Sequence, residues 1–130
     1  MPVFYMEKIE RKDLRNNPKC LFVFGDNCER QGYGGLAKEC RDEPNAVGVR
    51  TKYLPEKTKE AYFHDYDYET VIDMIDEDFL PVIQHLAKGG IVVFPTARLG
   101  FGLSAMPDKC PRIYSYLCEY VDNIKDLFNH

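Results

Sequence analysis

"CLFVFGDNCERQGYGGLA" (residues 20–37) decides the architecture. Its first five residues form an unbroken apolar run, bounded by Pro18 and Gly25. Such a run reads as a short strand covered on both faces, as in a parallel sheet. Four glycines follow, Gly25, Gly32, Gly34 and Gly35, set among Asp26, Asn27 and Arg30. The text then turns helical: in "GLAKECRDEPN" Leu36, Ala37 and Cys40 share one face, and Pro44 ends the segment. So much glycine between a strand and a helix means either awkward turns or a ligand lying against bare backbone.

Outward from this stretch, "VFYMEKI" (3–9) reads as a first strand and "RNNPK" (15–19) as a loop. "AVGVRTKY" (46–53) is a third strand, interrupted by Gly48, and 54–67 is a long loop. "YETVIDMIDEDFLPVIQHLAKGG" (68–90) carries a helical stripe of Val71, Ile72, Ile75, Phe79, Val82, Ile83 and Leu86. Pro81 is expected to kink or divide it, and Gly89 and Gly90 to stop it. "IVVF" (91–94) is a fourth strand, 95–110 a second glycine-bearing loop, and 111–128 a last helix burying Ile113, Leu117, Tyr120, Val121, Ile124 and Leu127. Helices between short buried strands predict an α/β fold. We expect a compact three-layer domain spanning 1–130, with a mostly parallel central sheet and helices on both faces.

Composition narrows the function classes. The chain has 130 residues, 45% of them hydrophobic and 13% aromatic, which favours a folded core over disorder. A formal charge of −4 argues against nucleic-acid backbone binding, which needs clustered Lys and Arg. No apolar run approaches the ~20 residues of a membrane span. The five cysteines include no CxxC pair, and "MPVFYMEKIERKD" reaches charge too early for a signal peptide. These features predict a cytoplasmic protein with reduced, mostly buried thiols. His and Cys lack zinc-ligand spacing, so no metal and no cofactor are expected.

In an open α/β sheet ligands bind beyond the carboxyl ends of the strands. The loops 25–35, 50–67 and 95–107 should all open there. The first leads into a helix start, a natural anion site, although it matches neither the Walker A nor the dinucleotide fingerprint. Turn geometry alone is the alternative. The second loop, "GFGLS", offers Gly100, Phe101, Gly102 and Ser104, with Thr96 near its start; a GxG followed by a hydroxyl residue can wrap a phosphate with N–H groups. The pair favours a diphosphate-containing ligand over two unrelated turns. Thr51 and Lys52 end the third strand; Lys52 is either a phosphate partner, a nucleophile or an exposed structural lysine. Asp26 and Asn27 either cap the turn or hold a ribose hydroxyl. Cys28 as an activated thiolate and "HDYDY" (64–68) as a metal site are weaker alternatives.

These motifs resemble the macro domain superfamily of ADP-ribose readers and erasers. The nearer likeness is to the branch holding the terminal ADP-ribose protein glycohydrolase and ALC-type remodeller macro domains. There a strand leads to R-x-G-x-G-[IL]-A, here "RQGYGGLA" (30–37), and a later strand to P-R-[IL]-G-x-G-L, here "ARLGFGL" (97–103). "VRTKY" between them parallels a strand ending in T-K. The chain also resembles small bacterial and phage proteins bearing "FGDN", "GGxA" and "PNAVG" blocks.

The resemblance implies a macro-like fold with ADP-ribose across the strand ends. Gly32, Gly34 and Gly35 would line the distal ribose and diphosphate. Gly100, Phe101 and Gly102 would form the phosphate loop, with Phe101 over the ribose. Lys52 would attack the distal ribose, and Asp26 is the candidate acid or base. The family's Asp after G-x-G-L is Ser104 here, leaving Asp26 or Asp108 to replace it. The family's adenine-holding Asp on an early strand has no clear match in "MEKIERKD". The expected function is binding of ADP-ribose or a related nucleotide, with hydrolysis of ADP-ribosyl groups from a macromolecule or small substrate. The alternatives are a non-catalytic nucleotide reader or sponge, and a protein-interaction module docking through the Tyr-rich loop 53–68.

Overall fold

The apolar run at 20–24 is a strand, and it runs three residues further. In the computed structural model, which describes residues 1–129, it spans Cys20–Asn27 (β2). Gly25, Asp26 and Asn27 are therefore strand residues rather than loop, held in register by pairing with Ala46–Lys52 (β3). The other strands are Val3–Met6 (β1) and Ile91–Pro95 (β4). The sheet order is β1-β4-β2-β3 and every pairing is parallel, so all four carboxyl ends lie along one side.

The helices are Arg11–Asn16 (α1), Ala37–Cys40 (α2), Tyr68–Ala87 (α3), Met106–Lys109 (α4) and Pro111–Phe128 (α5). Alternation along β2 sends Val23 to one face of the sheet and Phe22 and Phe24 to the other. Val23 joins Val3, Val49, Val92 and Phe94 beneath α3 and α5. Phe22 and Phe24 join Val93 beneath Leu14 of α1 and Ala37 and Cys40 of α2. Helices thus cover both faces. Among the described residues no helix is long and apolar enough to cross a membrane.

Several local expectations need correction. The first strand stops at Met6, and Arg11–Asn16, whose last two residues read as loop, is a helix pinned by the fully buried Leu14. Pro81 does not divide α3. It sits on the exposed side, where the carbonyl it leaves unpaired can face water, while buried Phe79 and Val82 hold the helix to the sheet. Leu127 is exposed rather than buried. The 95–110 loop contains the short α4, and the 54–67 loop contains two 3-10 turns, Lys59–Ala61 and Asp65–Asp67.

Side chains pair part of each edge of the sheet. At β1 the Val3 N–H donates to Asn129 Oδ1 at 2.9 Å, and Asn129 Nδ2 donates to the Val3 carbonyl at 2.8 Å. At β3 the Gly48 carbonyl accepts from Arg30 at 2.8 Å, and the Arg50 N–H donates to Asp78 Oδ2 at 2.8 Å. Lys52 completes that edge with an antiparallel bridge to Tyr62.

Candidate functional site

The loops after β2, β3 and β4 meet over the carboxyl ends of their strands. Between them lies a cleft of two compartments, about 90 Å³ and about 200 Å³. Gly25, Gly34, Leu103 and Ser104 line both compartments, so the two adjoin. The smaller holds Lys52, Gly32 and Pro55; the larger holds Thr51, Gly35, Gly100 and Gly102.

Backbone geometry explains the glycines at two places. Gly32 has φ +96°, and a Cβ there would also sit 3.2 Å from Pro55. Gly100 has φ +83°, and a Cβ there would strike Met106 Sδ, the residue whose N–H donates to the Gly100 carbonyl. The loops also leave donors free. The N–H groups of residues 32–35 and of 102–104 make no hydrogen bond among the described residues. Two segments of unbonded N–H groups along one cleft favour an anion. The exposed Leu103 side chain rests over the glycines, its Cδ1 only 2.9 Å from where a Gly34 Cβ would stand. A bound ligand must pack on Leu103 or push it aside.

Lys52 is the chemically pointed group of the smaller compartment. It is 8% exposed, its Nζ donates to the Glu56 carbonyl at 2.6 Å, and it lies 4.4 Å from the Tyr62 ring centroid. No carboxylate pairs with it among the described residues. Burial, and then the charge of Lys57, push its pKa below the usual lysine value. A buried amine so placed has two uses: it attracts an anion, or it supplies a nitrogen lone pair to an electrophilic carbon. Behind the cleft, buried Thr51 donates to the Asp26 carbonyl at 3.2 Å and shares a hydrogen bond with Ser104, tying the second glycine loop to β3.

Asp26 is differently employed from the acid–base expectation. Its Oδ1 accepts from Arg41 at 2.5 Å and from the Asn27 N–H at 2.8 Å, and its Oδ2 from Arg30 at 3.3 Å. Gly48 makes room for it: a Cβ there would collide with Oδ2. Arg41 passes the effect on by donating to the carbonyls of Gly32 at 2.6 Å and Gln31 at 3.3 Å. Asp26 therefore holds the first glycine loop through Arg41. Asp108, the other carboxylate considered, is exposed on α4 and lines neither compartment.

Other expected site residues also lie elsewhere or act locally. Arg30, with φ 56°, turns its guanidinium away to Asp26, Gly48 and Asp78, the last at 2.7 Å. Asn27 caps its own turn, accepting from the Glu29 N–H and donating to the Gln31 carbonyl. Thr96 lines a separate cavity under α5, and Phe101 is 62% exposed outside the cleft lining. Burial pushes the Cys28 thiol up, the reverse of activation. In "HDYDY" the Asp65 carboxylate accepts the N–H groups of Arg112 and Ile113, capping α5, which is a structural task. Among the described residues no cluster of three or more His, Cys, Asp or Glu is arranged around a metal site.

A model of the family of unknown function DUF7831 matches residues 4–120. The chain belongs to this family. The DUF7831 match runs from β1 into α5 and so contains the whole cleft, both glycine loops and Lys52. No curated protein and no solved structure matches the chain.

Proposed function

We propose that the cleft binds ADP-ribose or a related nucleotide, free or attached to a macromolecule, in the cytoplasm. The diphosphate lies against the two glycine loops and the distal ribose toward Lys52. The observation that carries this reading is the convergence of two runs of unbonded N–H groups with a buried lysine that lacks a carboxylate partner. Both features favour negative charge, and the larger compartment adds room for the rest of the ligand between the loops. In the catalytic form of this reading, the Lys52 nitrogen bonds to the anomeric carbon as the bond from that carbon to the modified side chain breaks. The side chain leaves with the electron pair, and water later releases the lysine. Burial aids the first step by raising the deprotonated fraction of the amine.

A second reading, a non-catalytic nucleotide reader or sponge, is favoured by a specific feature. Ser104 stands where the resembled family has an Asp, and no carboxylate among the described residues pairs with Lys52. Calorimetry with ADP-ribose tests the binding: no heat and no thermal shift at millimolar ligand sinks both readings. Lys52→Ala then separates them. Turnover by the wild type that disappears in the variant, with binding kept, supports the hydrolase; binding without turnover in the wild type supports the reader.

A further inference from the structure

The two compartments of the cleft meet at Gly25, Gly34, Leu103 and Ser104. Three of these offer nothing that can swing. Gly25 lies within β2 and pairs with Val49 of β3. Ser104 is tied to Thr51 by their shared hydrogen bond. Gly34 has no side chain. Leu103 is the exception. It is 60% exposed, and its Cδ1 rests on the bare backbone of the first loop, 2.9 Å from where a Gly34 Cβ would stand and 3.5 Å from a Gly35 Cβ. Gly34 lies outside the left-handed region, so the backbone does not ask for glycine there. The leucine does, because a side chain at Gly34 would take its seat. The backbone around Leu103 is fixed. The Ala105 N–H donates to the Gly102 carbonyl at 3.0 Å, closing a turn around Leu103, and the Met106 N–H donates to the Gly100 carbonyl at 2.9 Å. Only the side chain is free to turn.

We infer that Leu103 is the specificity-determining gate of the cleft: it partitions the two compartments in the free protein and must swing off Gly34 before one ligand can occupy both. The inference rests on the nucleotide reading, in which the distal ribose lies toward Lys52 and the rest of the ligand in the larger compartment. A leucine seated on two glycines buries little apolar area, so leaving that seat costs little. A ligand confined to the larger compartment leaves the gate where it is. A ligand spanning both must displace it, and its affinity is lowered by the fraction of molecules in which the gate stands open. Exposed side chains change rotamer in picoseconds to nanoseconds, so the gate acts on affinity and adds no slow phase to binding. The cleft thereby discriminates by the length of its ligand as well as by charge.

Calorimetry of the full chain with ADP-ribose and with AMP, which lacks the distal ribose, tests the gate. Leu103→Ala should raise the ratio of ADP-ribose affinity to AMP affinity by about three- to tenfold. Where AMP binds too weakly to measure, the ADP-ribose affinity itself should rise by that factor. Gly34→Ala should lower the ratio, because the new Cβ crowds the passage, and adding Leu103→Ala should restore it. A ratio that Leu103→Ala leaves unchanged or lowers overturns the inference: the leucine would then be a bystander, or a contact that holds the ligand. NMR of the ligand-free chain adds a check that needs no ligand. The Leu103 methyl protons should show nuclear Overhauser contacts to the Gly34 α protons, and their absence overturns the gate whatever the cleft binds. ADP-ribose binding neither to the wild type nor to Leu103→Ala sinks the nucleotide reading, and the gate falls with it. ADP-ribose binding with an unmoved ratio sinks the gate alone.

Discussion

β2 and β3 end side by side, and each buries a charge there in opposite company. Asp26 is met by two guanidinium groups and a backbone N–H, and the network continues through Arg30 to Asp78 and Arg50. Lys52 is met by a carbonyl, an aromatic ring and the repulsion of Lys57. The first arrangement is complete, and its product is a fixed loop: Arg41 holds Gln31 and Gly32 by their carbonyls. The second is incomplete, and a fold that keeps an uncompensated buried cation keeps it at a cost. Paired buried charge here makes architecture, and unpaired buried charge marks the place to look for chemistry.

The largest expected effect lies on the paired side. Arg41→Ala leaves the buried Asp26 with only the partly exposed Arg30, and should destabilise the fold by about 3–5 kcal/mol in urea denaturation. A loss below about 1 kcal/mol breaks the contrast, because Asp26 would then not depend on its pairing. Gly48→Ala should come next, at about 1–3 kcal/mol, as the new Cβ collides with Asp26 Oδ2. The loss should shrink in the double-mutant cycle with Asp26→Gly, which removes both the carboxylate and the Asp26 Cβ that stands 2.8 Å from the new methyl; an unchanged loss there would place the strain elsewhere.

The smallest effect should be Lys52→Met, neutral or slightly stabilising near pH 7, because it removes an uncompensated charge and keeps an apolar stem. Its signature is in the pH dependence. The folded pKa of Lys52 is depressed below the ordinary value of 10.5. Below the folded pKa both states carry the proton and the burial cost is fully present. Between the folded pKa and 10.5 the unfolded chain holds the proton that the folded chain has released, so Lys52 adds stability as pH rises through that window. Denaturation curves at increasing alkaline pH should show this rise in the wild type and lose it in Lys52→Met. A wild type and variant with parallel profiles would mean that Lys52 is not desolvated.

Much of this was legible in the chain. β4 and the start of β2 stand out as unbroken apolar runs, and α5 begins at Pro111 and ends at Phe128 as its periodicity predicts. α1 was not legible because one buried leucine in six residues makes no periodic pattern. The end of β2 was misread because Gly25, Asp26 and Asn27 have turn chemistry; pairing with β3 overrides that local preference. The glycines of both loops and Lys52 line one cleft at the strand ends, as their order along the chain suggests. Arg41 and Leu103 were missed, since nothing local distinguishes an arginine after a short helix from a solvated one, and Leu103 matters only through Gly34. Asp78 did leave a trace, a carboxylate beside the apolar stripe of α3, and its buried link to Arg50 and Arg30 explains it. In the Tyr-rich loop 53–68, Ala61 and Phe63 are buried and anchor it to the core, residues 55–60 are exposed, and Tyr66 is its one strongly exposed tyrosine.

The side chains at the two sheet borders have a further consequence. Asn129 offers Val3 a donor and an acceptor, much as a neighbouring backbone would, and Arg30 and Asp78 do the same for Gly48 and Arg50. An uncapped border strand is a template on which another chain can polymerise. In this molecule those positions are already taken by the chain's own amide, guanidinium and carboxylate groups. Strand exchange and fibrillar growth are blocked there without a proline or an extra helix.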